Sequence, residues 1–380
     1  MFDVRARIER ALRSLAIAAV VLLLLGAFGG LVVMISGIVP IKASSRHWDV
    51  TAALLDFAKR RSVRTHTFRM TVPPLEDPGL ALKGAGQYDF ACEPCHGSPA
   101  VQQPRIAYRM TPTPPDLMRT ASRYDPEELF YIVKHGIKFT GMPSWPTQQR
   151  DDEVWAMTAF LLELPELDAR QYERLVKGDA EQSGSVPPIE DLLPPENVPQ
   201  AVKETCRRCH GDDGRGGGLG AFPRLAGQKP GYLAAALQAF ANGDRHSGIM
   251  EPIAAGLSPQ EMRNLARYFG GLDAPRALPL APGNASAVER GAEIARQGIP
   301  AQKVAACMHC HGPGDIERNP RYPLLAGQFA DYLSLQLELF KNRNRGGSDF
   351  AHLMHPVADP LTSEQMSDVA LYYASVNPAE

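Results

Sequence analysis

Cys92-Glu93-Pro94-Cys95-His96, Cys206-Arg207-Arg208-Cys209-His210 and Cys307-Met308-His309-Cys310-His311 are three copies of one pattern, C-x-x-C-H. Two thiols one helical turn apart suit thioether bonds to the two vinyl groups of a porphyrin, and the next residue offers the iron an imidazole. All six cysteines of the chain lie in these sites. Thioredoxin-like redox pairs, zinc knuckles and disulfides also use paired cysteines. A redox pair needs no histidine after it, and zinc takes four ligands in paired clusters. Three repeats with a histidine each and no cysteine left over read as three covalent haem c sites. Cys92, Cys95, Cys206, Cys209, Cys307 and Cys310 carry the thioethers, and His96, His210 and His311 are the proximal iron ligands.

The 380 residues suit two or three domains, and three haem modules plus an N-terminal segment account for them. A net charge of −2 carries no nucleic-acid signature. Thirty-three Pro and thirty-three Gly are many for compact helical modules. They fit loops wrapped round a cofactor that supplies much of the core.

Residues 1–13 carry Arg5, Arg7, Arg10 and Arg13, and an uncharged run of 28 residues follows from Ser14 to Ile41. A bilayer-spanning helix needs ~20 residues, whereas a cleaved signal has an apolar region of only ~7–15. Ile41-Lys42-Ala43-Ser44 also lacks a small-x-small cleavage pattern. Residues 14–41 are therefore expected to be an uncleaved transmembrane anchor in the lipid bilayer. Lys42, Arg46, Lys59, Arg60, Arg61 and Arg64 place positive charge on the other flank, so the positive-inside count decides little. Haem attachment outside the bacterial cytoplasmic membrane decides it: the N-terminus lies in the cytoplasm and the haem modules in the periplasm. In the juxtamembrane segment 42–78, Val50, Leu54, Leu55 and Phe57 predict a short amphipathic helix over Trp48–Arg61.

The first module spans 79–164, with helices expected over Ala85–Phe90, Pro126–His135 and from Asp151. An acidic and then proline-rich linker, 165–200, should hold it away from the rest. The second module spans 201–272 and the third 285–380. No strand-period alternation appears, so the fold class is all-α.

Modules two and three repeat each other. Phe222-Pro-Arg-Leu225-Ala-Gly227-Gln228, Tyr232-Leu233, Phe240 and Met250 answer to Tyr322-Pro-Leu-Leu325-Ala-Gly327-Gln328, Tyr332-Leu333, Phe340 and Met354, about 100 residues on. Both last helices open like capping boxes, Ser258 with Glu261 and Thr362 with Gln365. This pair resembles the dihaem cytochromes c4, with P-x-L-A-G-Q in both halves. Module one lacks that stretch and, through Thr140-Gly-Met142-Pro-Ser-Trp145, is similar to a generic class I monohaem domain. The resemblance implies three tandem class I cytochrome c domains behind one N-terminal transmembrane helix. It also implies that modules two and three pack head to head as one dihaem unit.

The resemblance carries the distal-ligand role to Met250 and Met354, and the G-M-P pattern carries it to Met142. These follow the haem histidines by 40, 43 and 46 residues respectively. A thioether ligand stabilises ferrous iron. His135, His246, His352 and His355 are rival ligands, while Met110, Met118, Met157, Met262, Met308 and Met366 read as core fillers. Pro223 and Pro323 are expected to offer carbonyls to the proximal histidines, and in module one the loop 111–115 takes that place. Gly97, Gly211 and Gly312 fit helix ends close to the porphyrin.

Three six-coordinate haems leave no open iron, so no catalytic residue is expected. The implied role is a carrier between a quinol-cytochrome c reductase or dehydrogenase and a terminal acceptor such as a haem-copper oxidase. The alternative is the trihaem subunit of a membrane-bound alcohol or sugar-acid dehydrogenase. A haem peroxidase would need a displaceable distal ligand, and a cysteine-ligated thiosulfate-oxidising centre would need a seventh cysteine.

Overall fold

The computed structural model describes residues 2–39, 41–177, 199–216, 220–277, 279, 281, 283–312, 318–347 and 349–378. Among them the chain is helical, with one isolated antiparallel bridge between Ile299 and Val304 and no strand. Helix α1 (Phe2–Ser36) contains a stretch, Ile8–Ser36, that is long and apolar enough to cross a membrane and has none of its surface buried.

Helix α2 (Asp49–Thr67) runs past the expected end at Arg61. Its buried residues are Val63 and Thr67 in the last turns, which pack beside the module-one helix Pro126–His135. Arg64 adds an ion pair to Glu128 at 3.3 Å. Val50, Leu54, Leu55 and Phe57, the residues that suggested the helix, stay exposed. The last turns of α2 thus belong to the body of module one.

Module one contains α3 (Pro78–Ala91), α4 (Pro126–His135), α5 (Asp151–Glu163) and α6 (Ala169–Lys177). Asp77 caps α3 by accepting from Gly79 N at 2.8 Å, with Pro78 in the first helical position. The box of Asp125 and Glu128 caps α4. Helices α3 and α5 cross at Gly84, where an added Cβ would strike the Ala156 carbonyl and lie 2.6 Å from Phe160 Cβ. Tyr88, Met157, Phe160 and Leu164 form the core around that crossing, and α6 adds Tyr172 and Val176. Helix α6 lies within the stretch read as linker: its apolar face closes module one. The proline-rich half of that stretch, Val186 to Pro195, lies outside the described residues.

Module two opens on a π-turn, Val202–Cys206, that runs into Arg207–His210. Helices α7 (Pro230–Ala241) and α8 (Pro259–Gly270) follow, with Val202, Leu233, Leu265 and Phe269 between them. Module three has α9 (Ala285–Gln297), α10 (Ala330–Lys341) and α11 (Ser363–Ser375). Helices α9 and α11 cross at Gly291, against the Asp368 carbonyl, as α3 and α5 cross at Gly84. The capping boxes at Ser258 and Thr362 are both formed.

The two P-x-L-A-G-Q stretches meet each other. Gln228 accepts from Leu324 N at 2.8 Å and donates to Leu324 O at 2.9 Å, while Gln328 accepts from Arg224 N and donates to Arg224 O, both at 3.0 Å. Each glutamine side chain pairs with the other module's backbone, a self-complementary contact of the kind two-fold interfaces use. Modules two and three do pack as one unit.

Module one is not held apart from them. Arg150 donates to His246 O at 2.9 Å, and Glu153 accepts from Ser247 Oγ at 2.7 Å and Gly248 N at 2.6 Å. Asp89 pairs with Arg208, and a Cβ on Gly86 would sit 3.2 Å from Phe222 Cζ. The expected tethered module is instead docked, because the bare Gly86 position on α3 and the buried Glu153 carboxylate on α5 fit the surface of module two.

Candidate functional site

Each C-x-x-C-H pattern forms a helical turn. In the first, Cys95 N and His96 N both donate to Cys92 O, at 3.0 and 2.9 Å, so the two thiols sit one turn apart. The turns Glu93–His96, Arg207–His210 and Met308–His311 repeat this arrangement. The free thiols here stand in for thioether sulfurs. Burial pushes the Cys92 thiol up to about 12, and Cys206, Cys209 and Cys307 to about 11. Such thiols stay protonated at neutral pH, the reverse of a reactive redox pair.

The three histidines share one hydrogen bond. Nδ1 of His96 meets Pro115 O at 2.8 Å, that of His210 meets Pro223 O at 3.0 Å, and that of His311 meets Pro323 O at 3.0 Å. A carbonyl only accepts, so Nδ1 carries the proton and Nε2 keeps its lone pair for a metal. Burial pulls all three imidazoles below their ordinary pKa, outweighing the proline carbonyls, which favour the charged form. The neutral ring is the ligating form. In module one the acceptor is the last residue of the 111–115 loop, and Gln103 holds that loop by donating to Cys95 O at 2.9 Å and Pro114 O at 2.8 Å. Nothing in the spacing marked Gln103. Gly97 and Gly211 end their turns in the left-handed region, at φ +70° and +76°. Gly312, at φ −72°, does not need to be glycine for its backbone angle.

Met142, Met250 and Met354 are all half-buried, ahead of α5, α8 and α11 respectively. Thr140 Oγ1 accepts from Met142 N at 3.1 Å, and Ser247 Oγ accepts from Met250 N at 3.0 Å. Met354 packs against Phe340, Ala351 and Ala358. The rival histidines are placed otherwise. His135 is exposed and lies on Tyr131, with ring centroids 4.6 Å apart, and His352 is exposed. His246 faces Glu251 at 3.5 Å, and the ring of His355 bonds Arg345 O at 3.1 Å. Met157, Met262 and Met366 are buried core residues as expected.

Modules two and three also share a cationic cluster. Arg245 donates to Tyr332 Oη at 3.1 Å and Arg345 to Tyr232 Oη at 3.0 Å, and each guanidinium lies 4.5 Å over a phenylalanine, Phe240 and Phe340. Among the described residues no carboxylate pairs with either arginine. Two buried cations without an anion are costly unless a bound group supplies the charge. Haem propionates are anions of that kind, so Arg245 and Arg345 fit a pair of haems meeting at this interface.

Two family models match the chain. "Cytochrome C oxidase, cbb3-type, subunit III" covers residues 79–161, and "Cytochrome c" covers 196–273 and 288–377. The chain is a c-type cytochrome. Its relatives include the "Thiosulfate dehydrogenase electron acceptor" of Thiomonas intermedia, 35% identical over 45% of this chain and 78% of the relative. Cytochrome c4 of Pseudomonas aeruginosa is 29% identical, over 46% of this chain and 84% of its own length. The crystal structure of reduced recombinant cytochrome c4 from Pseudomonas stutzeri aligns at 27% identity and a TM-score of 0.43, over 47% of this chain and 96% of that chain. Covalent haem c is thus the cofactor, and the cytochrome transfers electrons rather than catalysing a reaction of its own.

Proposed function

We propose that the chain is a membrane-anchored trihaem carrier, with axial pairs His96/Met142, His210/Met250 and His311/Met354. Residues 14–41 hold it in the bacterial cytoplasmic membrane with its haem modules in the periplasm. Haem c supplies a one-electron couple, and the protein sets how strongly ferrous iron is favoured. The three Nδ1–carbonyl bonds carry the reading: they leave three neutral imidazoles, each following a cysteine pair, in the same local arrangement.

Module one docks on module two, which joins module three, and Gln148 and Asp152 of module one also line a cleft with Leu335 and Asn344 of module three. A Cβ on Gly86 would lie 3.4 Å from Cys209 Sγ, and Gly86 stands six residues before Cys92 on α3, a rise of about 9 Å. The thioether side of the first site therefore lies near that of the second, and the glutamine pairs join the second module to the third. Thr111 Oγ1 donates to Ala43 O at 2.5 Å, which keeps module one at the end of the anchor. Its exposed Ile106, Tyr108 and Phe139 suit a membrane-embedded partner there. The cbb3-type model on this module favours a haem-copper oxidase as acceptor. The relatives named as electron acceptors of thiosulfate dehydrogenase favour a dehydrogenase as donor, feeding modules two and three.

Mixing the ferric cytochrome with thiosulfate and a purified thiosulfate dehydrogenase tests the donor side. The α-band of reduced haem c should rise within the mixing experiment, and neither component alone should produce it. If a quinol-oxidising complex reduces the cytochrome and the dehydrogenase does not, the donor assignment is wrong. Failure with both contradicts the carrier reading.

A further inference from the structure

Glu153 stands in the first turn of α5 and is 3% exposed. Its carboxylate belongs to module one but accepts from Ser247 Oγ at 2.7 Å and Gly248 N at 2.6 Å in module two. It also accepts from Trp145 Nε1 at 3.3 Å and pairs with Arg150 at 3.0 Å. Arg150 itself reaches across to His246 O. Four donors on one buried carboxylate satisfy it fully, and losing it would strand several of them.

What Glu153 grips is the stretch that presents Met250. Ser247 Oγ gives its proton to Glu153 and accepts from Ile249 N at 3.3 Å and Met250 N at 3.0 Å. Ser247 N is fixed in turn by Glu251 at 2.8 Å. On the other side, Trp145 lies three residues after Met142, and Lys134 O holds its backbone N at 3.0 Å. A Cβ on Gly248 would come within 2.6 Å of Trp145 Cδ1, so the indole lies flush against the module-two loop.

We infer that Glu153 is a positioning residue that couples the methionine loops of modules one and two. The path runs from the Met142 loop through Trp145 to Glu153, then through Ser247 to the backbone of Met250. The iron–sulfur contact of the second haem then depends on a side chain of the first module. The inference rests on Met142 and Met250 being the distal ligands.

Glu153→Ala and Ser247→Ala in the full-length holo cytochrome test it, with Met250→Ala as the reference. Met250→Ala identifies the share of the near-infrared sulfur-to-iron band that belongs to the second haem, about one third. Glu153→Ala and Ser247→Ala should each weaken that share and lower the redox step that Met250→Ala displaces, with the third haem's step unmoved. Ser247→Ala removes one hydroxyl and serves where Glu153→Ala fails to mature. If Met250→Ala leaves the band intact, the ligand assignment fails. If Met250→Ala removes its share while the other two variants leave that share and that step unchanged, the coupling alone is overturned. An equal response of all three haems also overturns it, since that is general loosening.

Discussion

Replacing Met250 with alanine should lower the midpoint potential of one haem by on the order of 100 mV or more, a fraction of the ~0.8 V over which axial ligands set haem potentials. Met142→Ala and Met354→Ala should each do the same to a different haem. A thioether donates weakly and favours ferrous iron, so its loss leaves water, hydroxide or a nearby histidine, all of which favour the ferric state. The placement of the histidines decides which outcome each site shows. His355 is bonded to Arg345 O beside Met354, so it is the nearest replacement in module three. His135 is turned outward on Tyr131, so module one should become high-spin instead. Spectroelectrochemical titration of the three variants checks this. A variant whose titration matches the parent shows that its methionine is not the ligand.

The largest stability effects should come from two glycines. Gly84→Leu and Gly291→Leu each put a side chain where helices cross, against the backbone of Ala156 and of Asp368. Backbone carbonyls inside a helix have no room to yield, so each change should cost about 3 kcal/mol or more. Gly26 has nothing within 4 Å, and Gly26→Leu should be neutral. Denaturant unfolding followed by haem absorbance measures all three. Gly84→Leu with an unchanged midpoint would mean that α3 and α5 do not cross there.

The three C-x-x-C-H turns were legible because their geometry is local. Two thiols, a histidine and a following turn occupy six residues, and short contiguous patterns survive translation into structure. The capping boxes at Ser258 and Thr362 and the bounds of α4 were readable for the same reason. Contacts between distant residues left no such trace. Gln228 and Gln328 stood out only as repeated letters, since each acts on backbone about 96 to 104 residues away. Gly84 and Gly291 look like any helical glycine until the partner helix is in place. Nothing in the sequence singles out Glu153 among the acidic residues that open α5, and only the docked Ser247 loop makes it a buried acceptor. Helix α6 was hidden because Tyr172 and Val176 lie among charged residues in a stretch that turns proline-rich soon after. On α2 the helix was legible but its extension to Thr67 was not, because Val63 and Thr67 are held by packing on module one rather than by an apolar period.

The proposed centre comprises three haems, each held by one of these histidines and one of these methionines. Near-infrared magnetic circular dichroism of the ferric full-length cytochrome, scaled to its covalently bound haem, tests it most directly. Three haems per chain and three low-spin histidine–methionine signals are expected. Fewer than three haems, or a bis-histidine or high-spin signal in the unaltered protein, would contradict it.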